Sequence, residues 1–296
     1  MSTGFLKKSA PTKQIKRRSV MREAMERLVR NKTAMAGLFI LIVITILCAL
    51  AGVICPEGYD EQNYAIAFTL PCKEYPFGTD NLGRSMLARI LYGGRVSLSI
   101  GLISTGISAT LGLILGALAG FYGNKVDNII MRTLDVFHAI PSTLLAIAIS
   151  SALGGGIVNA MIAVGISSVP SFAKMVRAPG LAIKGQEFVE AARCIDASDR
   201  RIVFKHVVPN VLSPVIITIT GQLAAAVLAA SSLSFLGLGV QPPTPEWGSL
   251  IANARQYIRD YPYLVTYPGI AIATVVLSMN LFGDGLRDAL DPKLKN

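Results

Sequence analysis

Few side chains in this 296-residue sequence are placed to support catalysis or metal binding. The two histidines, His138 and His206, lack the neighbouring ligands that a zinc site requires. The sequence contains neither the Gly-x-x-x-x-Gly-Lys-Ser/Thr loop that binds ATP phosphates nor the His-Glu-x-x-His pattern of metalloproteases. We therefore predict no catalytic residue, no metal site and no cofactor bound by this chain itself.

A charged loop, residues 177–209, carries the pattern that points most directly to function. The apolar spacing from Glu187 to Ile195 predicts a short helix that exposes small Ala191 and Ala192 beside Phe188 and Ile195. Ser198 can cap a second helix. Two short helices joined by a turn would form a protruding knob, and its small tip and apolar flanks suit docking to a soluble partner.

The elements that must hold this loop are membrane helices. Hydrophobic residues make up 52% of the chain and charged residues 16%, which is too apolar for an ordinary soluble domain. A helix needs roughly 20 apolar residues to cross the bilayer. Six segments qualify: residues 34–54, 96–122, 129–153, 157–176, 211–238 and 265–282. We predict an all-α polytopic membrane protein in which Gly112, Gly116 and Gly120 give one helix a smooth packing face.

The distribution of positive charge predicts the orientation. With the N-terminus inside, the inner segments hold 22 of the 28 Lys and Arg residues and the outer loops hold 6. Positive residues are retained on the cytoplasmic side, so both termini are predicted to be cytoplasmic. Most of the net charge of +10 lies in the basic segment 1–33, so this charge indicates topology and predicts no nucleic-acid partner.

Within that basic segment, apolar residues recur at helical spacing from Val20 to Val29. This predicts an amphipathic helix on the anionic inner leaflet, and a solvated basic tail is the alternative. In the first outer loop, Cys55 and Cys72 would form a disulfide in an oxidising compartment, the alternative being two free thiols.

Two other functional classes lack their expected residues. An ion-coupled carrier would need an ionisable residue deep in a span, and the second, fourth and fifth spans have none apart from Lys174 near an end. A membrane enzyme acting on lipids would need clustered histidines and acids near an interface. Neither pattern is present in the sequence, so we expect a solute pathway whose energy comes from another subunit.

The loop 177–209 resembles the coupling motif of membrane subunits of ATP-binding-cassette importers. That motif has Glu-Ala-Ala, a Gly four residues after the second Ala, and a Leu-Pro near its end. Asp196 stands here in place of the Gly, and Val208 in place of the Leu. Asp tolerates the left-handed turn better than most residues, so the knob should form. The resemblance implies contact with an ATPase by Glu187, Phe188, Glu190, Ala191, Ala192, Ile195, Asp196, Ala197, Ser198 and Pro209.

A second resemblance points to one subfamily of these importer subunits. Residues 76–84, Pro-Phe-Gly-Thr-Asp-Asn-Leu-Gly-Arg, resemble the signature of dipeptide and oligopeptide permeases, and residues 236–248 and 283–292 are similar to the same group. The chain resembles the second, C-type permease of such systems, which implies a type I importer fold. The residues it implies for an outer gate or binding-protein contact are Phe77, Gly78, Thr79, Asp80, Gly83, Arg84, Pro243, Glu246 and Trp247. The alternative is that these motifs only build turns.

The resemblance also implies a complex in the cytoplasmic membrane of a prokaryote. This multi-pass chain would pair with a homologous second permease, two ATPases that bind ATP and Mg, and an extracytoplasmic substrate-binding protein. Residues 34–282 would form the permease domain within the lipid bilayer, and residues 283–296 a cytoplasmic tail. Dipeptides or oligopeptides are the expected substrates, with nickel chelates, glutathione or another small solute as alternatives.

Overall fold

The computed structural model describes residues 20–290, and the regular elements in this part of the chain are helical. Predictions that concern residues 1–19 and 291–296 lie outside the described residues. Short 3-10 turns occupy Tyr64–Ile66 and Arg255–Tyr257, and a π-helical turn, Val203–Val207, joins two helices. The α-helices are α1 (Val20–Arg30), α2 (Lys32–Ala49), α3 (Ala51–Ile54), α4 (Met86–Tyr122), α5 (Asn124–His138), α6 (Ser142–Leu153), α7 (Ile157–Lys184), α8 (Glu187–Cys194), α9 (Asp199–Ile202), α10 (Val208–Phe235), α11 (Trp247–Ala254) and α12 (Tyr263–Leu290).

The helices confirm the predicted polytopic membrane fold. Within residues 20–290, α2, α4, α7, α10 and α12 each contain a stretch long and apolar enough to span a bilayer. Counted as one broken span, the pair α5 and α6, which is bent by 86°, brings the number of spans to six. The predicted third span, residues 129–153, is therefore not one continuous helix but is broken between α5 and α6. The break precedes Pro141, which cannot donate a backbone hydrogen bond and disfavours helix in the residue before it.

Several predicted boundaries also shift. Helix α4 begins at Met86, ten residues before the predicted start, because Ser85 accepts a capping hydrogen bond from the Ala88 amide at 3.4 Å. Arg89 and Arg95, which precede the predicted start of the second span at residue 96, therefore lie inside this helix. Helix α12 continues to Leu290, so residues 283–290 of the predicted tail extend the last helix.

Helices α4 and α7 form the centre of the bundle. A Cβ at Gly112, Gly116 or Gly120 would meet atoms of α7 at Phe172, Ala173 and Arg177 respectively, so the predicted close packing of this glycine face is confirmed. The contacts advance along both helices in the same direction, which makes α4 and α7 parallel. Ion pairs of α7 with α5 hold the bent span against this core: Lys174 with Asp135 at 2.7 Å, and Arg177 with Asp127.

The predicted helix before the first span is present as α1. Its Ala24 and Leu28 are buried, and Leu28 packs in a cluster with residues of α12. Met25 and Val29 on the same helix are 56% and 58% exposed. Helix α1 therefore fastens one face to the bundle and leaves a second apolar face open.

Candidate functional site

The predicted knob consists of residues 187–202 and lies where α4 and α7 end. Helix α8 buries Val189 and Ala192 in a cluster that includes Phe121 of α4 and Val176 of α7. Beside it, the Lys184 ammonium donates a 2.9 Å hydrogen bond to the Tyr122 carbonyl. The knob is thus packed on the ends of the two central helices, so a force on it reaches both of them.

The turn after α8 has the geometry that the sequence predicted. Asp196 has φ of +57°, the left-handed conformation. Its amide donates to the Arg193 carbonyl at 2.9 Å, and the Ala197 amide donates to the Ala192 carbonyl at 3.1 Å. These two bonds make a Schellman motif with Asp in the position that usually holds Gly. Ser198 precedes α9 at the capping position, but its side chain makes no capping hydrogen bond.

The knob presents apolar side chains to its surroundings. Phe188 is 41% exposed, Ile195 is 80% exposed, and Ala191 lies exposed between them. Our expectation that Ala192 is also exposed is wrong, because the helical period places Ala192 with Val189 on the inner face. Exposed charges surround this surface, including Glu187 and Glu190, and Pro209 is exposed in the first turn of α10. An apolar patch with a charged border is typical of a protein interaction site.

The second predicted site lies at the opposite end of α4 and is built differently. We call it the clamp, formed by residues 76–84 and 245–248. At its centre the Asp80 carboxylate accepts hydrogen bonds from the Arg84 side chain at 2.8 Å and from the Arg89 side chain at 2.6 Å. Arg89 is 3% exposed and Asp80 is 6% exposed. Arg84 reaches a second carboxylate, Asp60, at 3.3 Å.

The other half of the clamp is equally buried. The fully buried Glu246 carboxylate accepts hydrogen bonds from the Ser97 hydroxyl at 2.9 Å and from the Ser249 amide at 3.0 Å. The Trp247 indole donates to the Ile90 carbonyl at 2.9 Å, and this side chain is 1% exposed. Glu246 and Trp247 therefore tie the start of α11 to the beginning of α4.

Two glycines let the first clamp segment fold back tightly. Gly78 and Gly83 have φ of +74° and +73°, and a Cβ at Gly83 would collide with the Asn63 carbonyl. The Phe77 ring stacks on Tyr267 at 4.5 Å between centroids. The Tyr263 hydroxyl also donates to the carbonyl of Thr79, at 2.7 Å. The segment is thereby fastened to α12.

Most side chains of the clamp are internal to the chain. Thr79, Asp80, Glu246 and Trp247 are buried within the chain, so they present no surface to a binding protein in this structure, whereas Pro243 is exposed. The turn-building alternative accounts for their packing. The sequence reasoning also missed Arg89. An arginine within an apolar helix, with an acid nine residues before it, was the available signal.

The two cysteines predicted as a possible disulfide are free thiols. Cys55 is buried among residues of α3 and α4, whereas Cys72 is exposed on the loop. Burial raises the pKa of the Cys55 thiol, and the Glu57 carboxylate raises that pKa further. Among residues 20–290, no three His, Cys, Asp or Glu side chains converge as a metal site would require.

Comparison with known proteins identifies the family to which this chain is similar. Residues 112–296 match the family described as binding-protein-dependent transport system inner membrane component, and residues 19–71 match the N-terminal TM domain of oligopeptide transport permease C. The dipeptide transport system permease protein DppC of Alkalihalophilus pseudofirmus is 42% identical over 94% of this chain and 91% of its own length. The glutathione transport system permease protein GsiD of Escherichia coli is 43% identical over 94% of this chain and 92% of its own.

A solved structure shares the fold. The inward-facing MetNI methionine ABC transporter includes a chain that aligns with a TM-score of 0.56 and 19% identity, covering 70% of this chain and 98% of that one. At this identity the likeness concerns architecture alone.

Proposed function

The chain belongs to the family of inner membrane components of binding-protein-dependent transport systems, and from that premise we propose that it is the permease subunit of an ATP-driven importer of dipeptides or oligopeptides. The knob is the observation that carries this proposal. It is anchored on α4 and α7, and it exposes Phe188 and Ile195 at the end of the bundle. That is the arrangement a moving partner subunit needs in order to act on membrane helices.

The energy would come from two partner ATPases, which bind ATP and Mg, because the sequence has no phosphate-binding loop. Each ATPase would hold one knob, and a homologous second permease would supply the other knob of a heterodimer. A substrate-binding protein would deliver peptide at the clamp end. The excess of Lys and Arg supports a cytoplasmic position for the knob and for both termini, in the inner membrane of a prokaryote.

The relatives support peptides as the substrate class. Besides the dipeptide relative, the di/tripeptide transport system permease protein DppC of Pseudomonas aeruginosa is 42% identical over 94% of both chains. Glutathione is the second candidate, because a relative named for it is equally similar. Glutathione is itself a small peptide, so both candidates place the same amide and carboxylate groups in the pathway.

The test of the coupling role is Ala191→Arg in the assembled complex. Ala191 is exposed at the knob tip, so arginine there adds bulk and charge without disturbing the buried Val189 face. We expect at least a tenfold loss of dipeptide uptake and of ATPase co-purification, with normal amounts of permease in the membrane. The matched control is Ala65→Arg, the same change at an exposed alanine near the clamp, which should retain the ATPases.

Retention of both ATPases and of uptake by Ala191→Arg would refute the coupling role of the knob. Uptake assays also decide the substrate class. Labelled dipeptide uptake that unlabelled glutathione fails to suppress supports the peptide assignment, and preferential uptake of glutathione supports the second candidate.

A further inference from the structure

Four open cavities follow one another along α10. Their volumes are about 370, 290, 360 and 480 Å³, close to or within the range of roughly 300–1,000 Å³ that small-molecule sites occupy. Each cavity shares lining residues with the next one, and we call this row of adjoining cavities the α10 track. The residues shared at its three junctions are Gln222 with Ala225, Leu228 with Ser232, and Phe235 with Leu236.

The track is long enough to cross the membrane. Thr218 lines the first cavity, and Phe235 lines the last two. At a rise of 1.5 Å per residue, these positions are about 26 Å apart along the helix, against a hydrocarbon thickness of about 30 Å. The segment Pro214–Phe235 is itself apolar enough to span the bilayer. The track therefore runs at membrane depth over most of its length.

The second cavity of the track is lined by polar, uncharged side chains, whereas the third is mainly apolar, with Leu228, Ile251 and Ile272 in its lining. Thr143 of α6, Ser171 of α7 and Gln222 of α10 line the second cavity. The structure shows no hydrogen bond from these three side chains to any group within residues 20–290. Charged residues line only the first and last cavities, with Asp284 and Arg287 at one end and Arg255 at the other. Lipid tails cannot satisfy hydroxyl or amide groups, so this face is suited to water, a polar solute or a polar surface of the second permease.

The exposed residues of α10 differ from those of helices suited to face lipid. Helix α2 exposes Phe39 at 68%, and α12 exposes Leu277 at 59%. From residue 217 to residue 234, all of which the structure describes, α10 exposes one large aliphatic side chain, Leu228 at 46%. The remaining exposed positions on this stretch are Gly221, Ala225 and Ser232.

We propose that the α10 track is this chain's share of the path taken by the solute, and that its hydroxyl and amide groups serve peptide backbones. This inference rests on the proposed function for the identity of the solute. Ser, Thr and Gln both donate and accept hydrogen bonds, as peptide amides do. The uncharged lining of the second and third cavities would hold no carboxylate or ammonium group tightly, and peptides with different side chains could pass along it.

The test is thiol accessibility in the assembled complex. We would place Ala225→Cys or Ser232→Cys in a chain whose exposed Cys72 and Cys194 are replaced by Ser, and treat the complex with a charged methanethiosulfonate. The matched control is Leu277→Cys, on the exposed apolar face of α12. We expect both track thiols to react at least tenfold faster than the control, because a charged reagent enters water-filled paths and is excluded from lipid. Reaction should also lower dipeptide uptake at least tenfold.

Track thiols that react no faster than the Leu277→Cys thiol would overturn the proposal. So would resistance to the reagent combined with cross-linking of Ala225→Cys to the second permease, since that result identifies a packed subunit interface. As a second variant, Ala225→Trp should block uptake while Ala225→Ser preserves it; equal uptake by both also contradicts the track. The labelling pattern does not depend on the solute. Reactive track thiols in a complex that takes up no peptide would therefore refute the proposed substrate class and leave the track in place.

Discussion

The clamp and the knob occupy opposite ends of α4 and use their polar and apolar groups in opposite ways. In the clamp, the Asp80 and Glu246 carboxylates are buried and accept hydrogen bonds from within the chain. In the knob, Phe188 and Ile195 are exposed, and the charged residues around them face outward. The polar groups of the clamp bond to other groups of the same chain and stabilise the fold, whereas the exposed side chains of the knob remain available to a partner.

This contrast shows that a motif typical of a family can either stabilise the fold or form a surface for a partner. Both regions were found as runs of residues that resemble family signatures; the knob was assigned to contact with an ATPase, and the clamp to an outer gate or contact with a binding protein. Burial shows that the clamp motif determines how the outer loop, α11 and α12 are joined to α4. A change in the clamp should therefore reduce the amount of folded permease, whereas a change in the knob should spare the protein and abolish transport.

The largest effect on stability is expected from Asp80→Ala. The change removes the carboxylate that pairs with the buried Arg89 guanidinium, and an unpaired buried charge costs about 3–5 kcal/mol. We expect a marked fall in the melting temperature of the purified complex and in the amount of permease in the membrane. The control is Asp60→Ala, because Asp60 is 42% exposed and pairs with Arg84 at 3.3 Å. Equal melting temperatures for both variants would contradict the structural role of the clamp.

A smaller loss is expected from Trp247→Phe. The phenyl ring retains much of the apolar bulk but cannot donate to the Ile90 carbonyl, which accepts the indole N–H at 2.9 Å. Leaving this buried acceptor unpaired should cost about 1–3 kcal/mol. Thermal unfolding of the complex measures the loss. The ATPases should still co-purify in proportion to the remaining permease, and a selective loss of ATPases would mean that the clamp also contributes to coupling.

The sequence predicted the periodic features of this fold well. Long apolar runs located the spans, the glycine spacing identified the α4 face that packs on α7, and the turn chemistry of Asp196 was confirmed by its φ of +57°. These features depend on residues close together in the chain. The short period of α8 was also sufficient to predict the helix.

The features that sequence reasoning missed depend on distant contacts. The hydrogen bond between Ser97 and Glu246 joins residues 149 positions apart, and nothing in either local pattern predicts it. The α10 track likewise requires α6, α7 and α12 to leave one side of α10 open. The 86° break between α5 and α6 had a local signal in Pro141, but the apolar run across it favoured one continuous span.

The reactivity of two cysteine thiols near the clamp end of α4 measures how well this end of the chain is packed. Cys72 is exposed, whereas Cys55 is 2% exposed with a raised pKa caused first by burial and then by Glu57. The thiolate is the reactive form, so a raised pKa lowers its population at neutral pH. We expect a maleimide to modify Cys72 at least tenfold faster than Cys55 in the folded complex, as measured by mass spectrometry. Comparable rates would show that the loop opens readily and that the clamp is less fixed than its hydrogen bonds indicate.

The smallest effect is expected at the turn of the knob, from Asp196→Gly. Glycine adopts φ near +57° without a steric cost, but it adds conformational freedom to the unfolded chain, so stability should change by less than about 1 kcal/mol. Transport should be preserved, because the Schellman bonds from residues 196 and 197 use backbone atoms. Asp196→Val is the matched contrast: a β-branched residue at this φ should strain the turn by about 1–3 kcal/mol and lower uptake. If Asp196→Gly stops uptake while the melting temperature is unchanged, the Asp196 carboxylate itself contacts the partner, and the exposed docking surface of the knob extends beyond its apolar residues.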